Sequence, residues 1–420
     1  MRAPTDAQPA LRLSWIVLAI GAVAFVALAA TLIPWHPYPG GAVTAAPEAA
    51  YFTPAQLARI NDFSTPARWL SRSALAVELV VACLLGFTRA RTWLTARLRG
   101  PWPLRVVEAV AVVTLVGQVA TLPLMIALQR HAVAFGLSRQ SWPSWLQDEL
   151  LNWLVTVVGA SLAIVALLVC TRMWPRIWPV VAGLILAGLV LLGSFVYPVL
   201  VQPLFTSLSP MPDGPLRTQV LALARTEGVH VDDVLVADAS RRTTALSAYV
   251  TGFGPTRRVV IYDTMLAGTS GPAGAMRRRE LLSVVAHELT HAKHDDVLVG
   301  TGLGAAGALV AVGLLGLLVG RRFRGLTDPA AVPALLALFA LGSFLTLPIE
   351  NTLSRQVETR ADVGALRTTC DLDAFVALQQ RLDLSALQDP SPPAWSQFWF
   401  GSHPTSLQRI AVAHRVLGTR

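Results

Sequence analysis

The sequence predicts a mostly α-helical chain, with about seven membrane-spanning helices joined to a polar domain that contains a small β-hairpin or sheet. Three observations carry this. The 420 residues are 54% hydrophobic and only 14% charged, with a mean hydropathy of +0.54, whereas soluble chains carry about 25% charged residues. The apolar residues gather in runs near the ~20 residues that cross a hydrocarbon core. The charges gather as well, in 202–296 and in 350–420. A disordered chain is excluded and a purely soluble one disfavoured.

The apolar runs are 13–33, 73–87, 104–128, 150–170, 177–200, 297–320 and 330–347. The second is short and contains Glu78, and the third contains Glu108. The first follows Arg2 and Arg12 and precedes an Ala-rich stretch, as a cleaved signal peptide would, but it exceeds the usual 7–15 apolar residues of one. The expected division is a membrane region of about five spans (1–200), a first polar part (201–296), a transmembrane hairpin (297–349) and a second polar part (350–420). A hairpin through the bilayer brings both polar parts to the same side, where they can form one domain.

Within 201–296, residues 216–226 carry helical spacing of apolar positions and 233–237 reads as a strand. Residues 243–251 and 257–262, joined by the turn-forming stretch 252–256, read as a β-hairpin. Residues 279–295 read as a helix continuing into the sixth apolar run. Residues 352–369 read as helix, 389–404 as a loop with Pro and Trp, and 405–417 as a closing helix. Trp395, Phe398, Trp399 and Phe400 in that loop suit a membrane interface, the wall of an apolar groove, or simple core packing.

Net charge is +9, carried almost wholly by Arg; Lys293 is the single lysine. The arginines sit between apolar runs, as at 89, 91, 97, 99 and 105, with no basic stretch interleaved with stacking aromatics. That argues against a nucleic-acid partner. Cys83, Cys170 and Cys370 form no CxxC pair, which disfavours a disulfide framework or zinc knuckle.

The sharpest local signal is His287-Glu288-Leu289-Thr290-His291. On a helix, residues four apart share a face. Two imidazoles can therefore hold one zinc, with Glu288 beside them to take a proton from water. Chance alone would place such a motif in a chain of this composition roughly 0.3% of the time. A catalytic zinc keeps three protein ligands and one open position. The metzincin pattern would place another His six residues after His291, but Val297 stands there. His294 is too near in sequence to complete a tetrahedral site and is expected to line it.

Across the hairpin lies Glu358, in Ser354-Arg355-Gln356-Val357-Glu358-Thr359-Arg360-Ala361-Asp362. If both helices continue straight out of the bilayer, a rise of ~1.5 Å per residue brings Glu358, His287 and His291 to similar heights, roughly 10–15 Å beyond the membrane edge. Asp362 is one turn from Glu358, placed to orient a ligand histidine.

With these blocks in view, the sequence resembles the M48 family of integral-membrane zinc metallopeptidases, in its Ste24-like (CAAX prenyl protease 1) branch. The resemblance spans residues 197–410. It runs through Tyr197-Pro198, Pro203-Leu204-Phe205, Pro212-Asp213-Gly214, the stretch 238–242, Ala248–Gly254, Tyr262-Asp263-Thr264, the 287–294 and 354–362 blocks, His403-Pro404 and Arg409-Ile410. It implies a zincin-like metallopeptidase domain on a multi-spanning body. It also implies one Zn²⁺ held by His287, His291 and Glu358, Glu288 as general base, His403 and Arg409 near the substrate carbonyl or behind the ligands, and peptide-bond hydrolysis by zinc-activated water. The family usually has Asn-Ala before the hairpin aromatic; here it is Ser247-Ala248-Tyr249, which alters the expected substrate contacts of Ser247 and Tyr249 but not the metal site. Thr206 likewise stands where the family has Asn.

The partners implied are a peptide or protein substrate, including a lipidated one, and membrane lipid, in what reads as a bacterial cell membrane. A rival reading is a quality-control protease acting on membrane proteins without a prenyl group; another is a non-enzymatic membrane protein with a degenerate site. Sidedness is read two ways. Arg89 to Arg105, Arg172, Arg176, Arg321, Arg322 and Arg324 fall in loops on the N-terminal side. The positive-inside rule puts that side in the cytoplasm and the polar domain outside, while the resemblance implies a cytosol-facing site.

Overall fold

The computed structural model describes residues 7–38, 40–266, 276–322 and 327–418. Arg2 and Arg324, used above, lie outside these. In chain order the helices are α1 (Ala7–Leu32), α2 (Pro54–Phe87), α3 (Ala90–Thr95), α4 (Trp102–Ala134), α5 (Trp142–Met173) and α6 (Trp178–Val196). A π-helical turn, Tyr197–Val201, and short α7 (Gln202–Phe205) lead into the polar part. There follow β1 (Leu208–Pro210), α8 (Pro215–Glu227), β2 (Asp233–Ala237), β3 (Ala248–Thr251), β4 (Arg258–Tyr262), α9 (Asp263–Leu266) and α10 (Arg278–Lys293). The chain closes with α11 (Asp296–Arg322), α12 (Val332–Thr369), α13 (Leu372–Ala386), α14 (Ala394–Phe400) and α15 (Ser406–Leu417).

Among the described residues, seven helical stretches are long and apolar enough to cross a membrane. They correspond to the seven runs, with one revision. The short run 73–87 is only the second half of α2, which starts at Pro54 behind a Thr53 capping box. The body's core gathers Val106, Val110, Leu168, Trp178, Val312 and Val332 from α4, α5, α6, α11 and α12.

The polar part is a small sheet backed by helices. Strand order is β1-β2-β4-β3, with β2 and β4 parallel and β3 and β4 the antiparallel hairpin. Gly252 opens the hairpin turn at φ 87; an added Cβ there would lie 2.3 Å from the Thr256 carbonyl oxygen, so only glycine fits. Val234, Val259 and Ile261 of the sheet pack on Val220 and Ala224 of α8 and on Leu281, Val285 and Leu289 of α10. That contact fixes which face of α10 is left for α12.

Two expectations need correcting. The helix through 279–295 does not run into the sixth span: α10 stops at Lys293, Asp295 takes φ 52, and α11 starts at Asp296. A non-glycine residue in the left-handed region breaks the helix there. Residues 389–404 are not all loop, because Trp395 to Phe400 form most of α14. Val357, next to Glu358, packs in a cluster with Ile33 just beyond α1 and with Val299 and Leu303 of α11.

Candidate metal centre

The face of α10 opposite the sheet meets α12. The approach is close because position 364 is glycine: an added Cβ would sit 2.4 Å from Thr290 Oγ1. Three side chains converge there. His287 Nε2 and His291 Nε2 are 3.1 Å apart. Glu358 offers Oε2 at 3.2 Å from the first and Oε1 at 3.7 Å from the second. The ligand atoms of these three residues all lie within 4.8 Å of one another. Zinc bonds of ~2.0–2.2 Å to N and O put tetrahedral ligand atoms ~3.3–3.6 Å apart, so the spacing suits one ion. Glu358 Oε2 is buried and takes no well-angled hydrogen bond among the described residues. Two imidazoles and a carboxylate aimed at one point, with that oxygen unsatisfied, are chemically a cation's donor set.

Behind each histidine stands a carboxylate. His287 Nδ1 lies 3.0 Å from Asp362 Oδ1, close though off the hydrogen-bond axis. Asp362 is held in turn by Arg409 of α15, whose Nε and Nη2 donate over 2.8 and 2.6 Å. His291 Nδ1 lies 2.9 Å from Asp296 Oδ2, and Arg360 donates to the same carboxylate. Asp362 and Arg409 thus form a forked pair behind His287. Asp296 and Arg360 are additions that sequence reasoning missed, since Asp296 enters only because α10 breaks.

Glu288 sits beside the pair with part of its surface open. Desolvation raises its carboxyl above the usual range, against the pull of His287 and His291. His403 follows α14, its side chain half exposed and its Nε2 3.2 Å from Glu358 Oε2. Desolvation lowers that imidazole's pKa, against Glu358. Its loop is tied down: Gln397 Nε2 donates to the His403 carbonyl, Arg355 to the Gln397 and Gly401 carbonyls, and Asn351 to that of Trp399.

Two further groups of candidates lie nearby. His294, at the C-terminal end of α10, lines a recess with Glu227, Thr290, Lys293, Arg360 and Gly364. Ser247 and Tyr249 belong to the exposed-edge side of the sheet, beside α10. The Ser247 carbonyl accepts from the Tyr262 amide at 3.0 Å. The Tyr249 hydroxyl is bonded by Gln202, which ties the edge strand to the end of the membrane body.

Residues 210–416 match the model of peptidase family M48, and residues 69–207 match a model described as CAAX prenyl protease N-terminal, five membrane helices. The chain is 26% identical over 388 residues to the uncharacterized metalloprotease YhfN of Bacillus subtilis (strain 168), covering 89% of this chain and 88% of that one. It is 32% identical over 168 residues to a CAAX prenyl protease 1 homolog of Dictyostelium discoideum, covering 39% and 37%. The crystal structure of S. mikatae Ste24p superposes with a TM-score of 0.71 at 17% identity, over 98% of this chain and 100% of that one, a likeness of fold.

Proposed function

Because the chain belongs to peptidase family M48 and is an integral-membrane metalloendopeptidase, we propose that its metal is a single Zn²⁺ held by His287, His291 and Glu358. The observation that carries this is the convergence of two imidazole Nε2 atoms and one carboxylate within 4.8 Å. Bound there, Zn²⁺ supplies Lewis acidity for peptide hydrolysis.

The protein's own groups divide the remaining work. Glu288 takes the proton of the attacking water and returns it to the departing amide nitrogen. His403 donates toward the oxygen that gains negative charge. Asp362 and Asp296 fix the ring orientations of His287 and His291, and Arg409 fixes Asp362. Edge strand β3 offers its free backbone to an extended substrate. On this reading residues 1–200 are a membrane region, 201–296 and 350–420 build the peptidase domain, and 297–349 are the hairpin between them.

The substrate is a peptide, and the resemblance to CAAX prenyl proteases supports one bearing a lipid group near its C-terminus, with lipid around the helical body. The Bacillus relative, matched nearly end to end, supports a bacterial cell membrane and keeps a second reading in play, cleavage of unmodified membrane proteins. Chelator-sensitive cleavage of a prenylated peptide against its unmodified twin decides between them; equal rates favour the second.

Glu288→Gln should keep its metal by elemental analysis and lose activity by about 10²–10⁴-fold. His287→Ala should lose the metal itself. Wild-type turnover in Glu288→Gln would sink the mechanism.

A further inference from the structure

The recess that His294 lines gathers charges that the reaction above does not use. It is a cavity of about 170 Å³ between the C-terminal ends of α8 and α10 and the C-terminal stretch of α12. Lys293, His294, Arg360 and Arg367 stand around it with one carboxylate, Glu227. Glu227 is already engaged: Lys293 donates to it at 3.1 Å, and the Thr368 hydroxyl binds its other oxygen. Lys293 is half exposed, and its ammonium has further donors free. Arg360 donates to Asp296 through one terminal nitrogen, while its Nε is hydrogen-bonded to nothing among the described residues. Arg367 is exposed, and its guanidinium has no partner among the described residues. Three full cations, Lys293, Arg360 and Arg367, thus meet two carboxylates, Glu227 and Asp296, and one positive charge is left over.

Position narrows the ligand. Pro37, in the wall of the recess, follows Leu32 at the end of α1 by five residues, and His294 precedes Asp296 at the start of α11 by two. Both helices are apolar spans. The recess therefore lies where two spans leave the hydrocarbon core, the level of lipid phosphates. Its volume is several times the ~30 Å³ share of one water, roomy enough for a phosphate group. A tetrahedral phosphate takes donors from several directions, and here they come from α10 on one side and α12 on the other; a flat carboxylate is better served by a single fork. The carbonyl ends of α8 and α10 oppose an anion, but that field fades within a turn and is weaker than a charge-assisted hydrogen bond.

We propose that this recess is a phosphate-binding site with Lys293, Arg360 and Arg367 as its donors, filled by the headgroup of an anionic phospholipid or by a soluble phosphate of the same chemistry. An occupant reaches the metal centre through two side chains: Arg360 also holds Asp296, and Asp296 Oδ2 lies 2.9 Å from His291 Nδ1. The ring orientation of His291 is thereby tied to what fills the recess. The site stands independently of the peptidase reading.

The test reads binding and not turnover. Full-length protein in uncharged detergent micelles is titrated with inorganic phosphate at an ionic strength held constant with sodium chloride. Phosphate should raise the melting temperature saturably, as mass action requires. Arg367→Gln should raise the phosphate Kd about 10-fold, the size of one charged hydrogen bond. It should leave phosphate-free melting unchanged, since Arg367 is exposed and has no partner among the described residues. Arg367→Lys should recover part of the affinity. Phosphate seated on the metal itself would not respond to Arg367. In a second arm the protein is taken from nanodiscs of phosphatidylcholine containing phosphatidic acid, and native mass spectrometry counts the lipid it keeps. Wild type should keep phosphatidic acid that Arg367→Gln loses. Retention identifies the headgroup as the source, and a phosphate shift without retention identifies the soluble ligand. A wild type that neither shifts nor retains overturns the proposal, as do an unchanged phosphate Kd and unchanged retention in Arg367→Gln.

Discussion

Asp362 and Asp296 perform the same task on the two ligand histidines, yet they are built differently. Asp362 rides on α12 one turn from Glu358, has a side chain 1% exposed, and is forked by Arg409 from α15. Its arginine comes from the closing helix of the polar part, although α12 itself runs out of the last span. Asp296 is the first residue of α11, so the His291 side of the centre is fastened to a membrane span, and Arg360 closes the clamp from α12. One half of the centre is thus set by domain packing and the other by insertion of the hairpin. A complete donor set requires both.

The strongest way to break this comparison is Asp362→Asn. It removes one charge of a buried pair and leaves Arg409 without its counter-charge, a loss of about 3–5 kcal/mol. Thermal unfolding should move sharply down, and metal affinity should fall about 10–100-fold. A variant with wild-type melting and affinity would mean that Asp362 merely neighbours His287.

Asp296→Asn should be milder and differently shaped. Arg360 and Asp296 are 19% and 9% exposed, against 14% and 1% for Arg409 and Asp362, so the second pair is somewhat better solvated. The stability loss should be smaller than for Asp362→Asn, while metal affinity still falls about 10-fold because His291 loses its orienting carboxylate. The two variants are separated by the ratio of affinity loss to stability loss. Equal ratios would erase the distinction between a domain-held half and a membrane-held half.

How much of this could be read from the residues follows from how local each signal is. His287, Glu288 and His291 share one helical turn, and Asp362 follows Glu358 at i+4, so their helical period exposes them. Strand β2 coincides with the stretch 233–237, and β4 with 258–262 of the expected 257–262, because β-branched runs between turn residues are local as well. Asp296 was hidden because its role depends on a break at Asp295, where the sequence offers neither Gly nor Pro to mark it. α14 was hidden for a related reason: Pro392, Pro393 and Trp395 suggest a loop, but Pro393 caps a helix whose aromatic residues find partners far away in sequence, Phe344 for Trp399 and Arg72 for Phe400.

A third carboxylate sharpens the contrast by lacking an arginine of its own. Asp383 of α13 is 3% exposed and accepts from the Ser406 hydroxyl at the start of α15, the helix that carries Arg409. Burial pushes its carboxyl up to about 7, against the Ser406 bond and the positive field of Arg409. Since the unfolded value is near 3.9, the folded protein keeps this proton over a pH range where the unfolded chain has released it. Stability from this group is therefore full below pH ~4, declines as pH rises toward 7, and stays reduced above that. Asp383→Asn keeps a neutral group of the same size and should remove the decline. Subtracting the variant's stability from wild type's, pH by pH, cancels the other titrating groups and should leave a curve that falls from pH 4 to 7. A flat difference would show that Arg409 serves Asp383 as well as Asp362, and the two arginine clamps would no longer account for which carboxylates stay ionised.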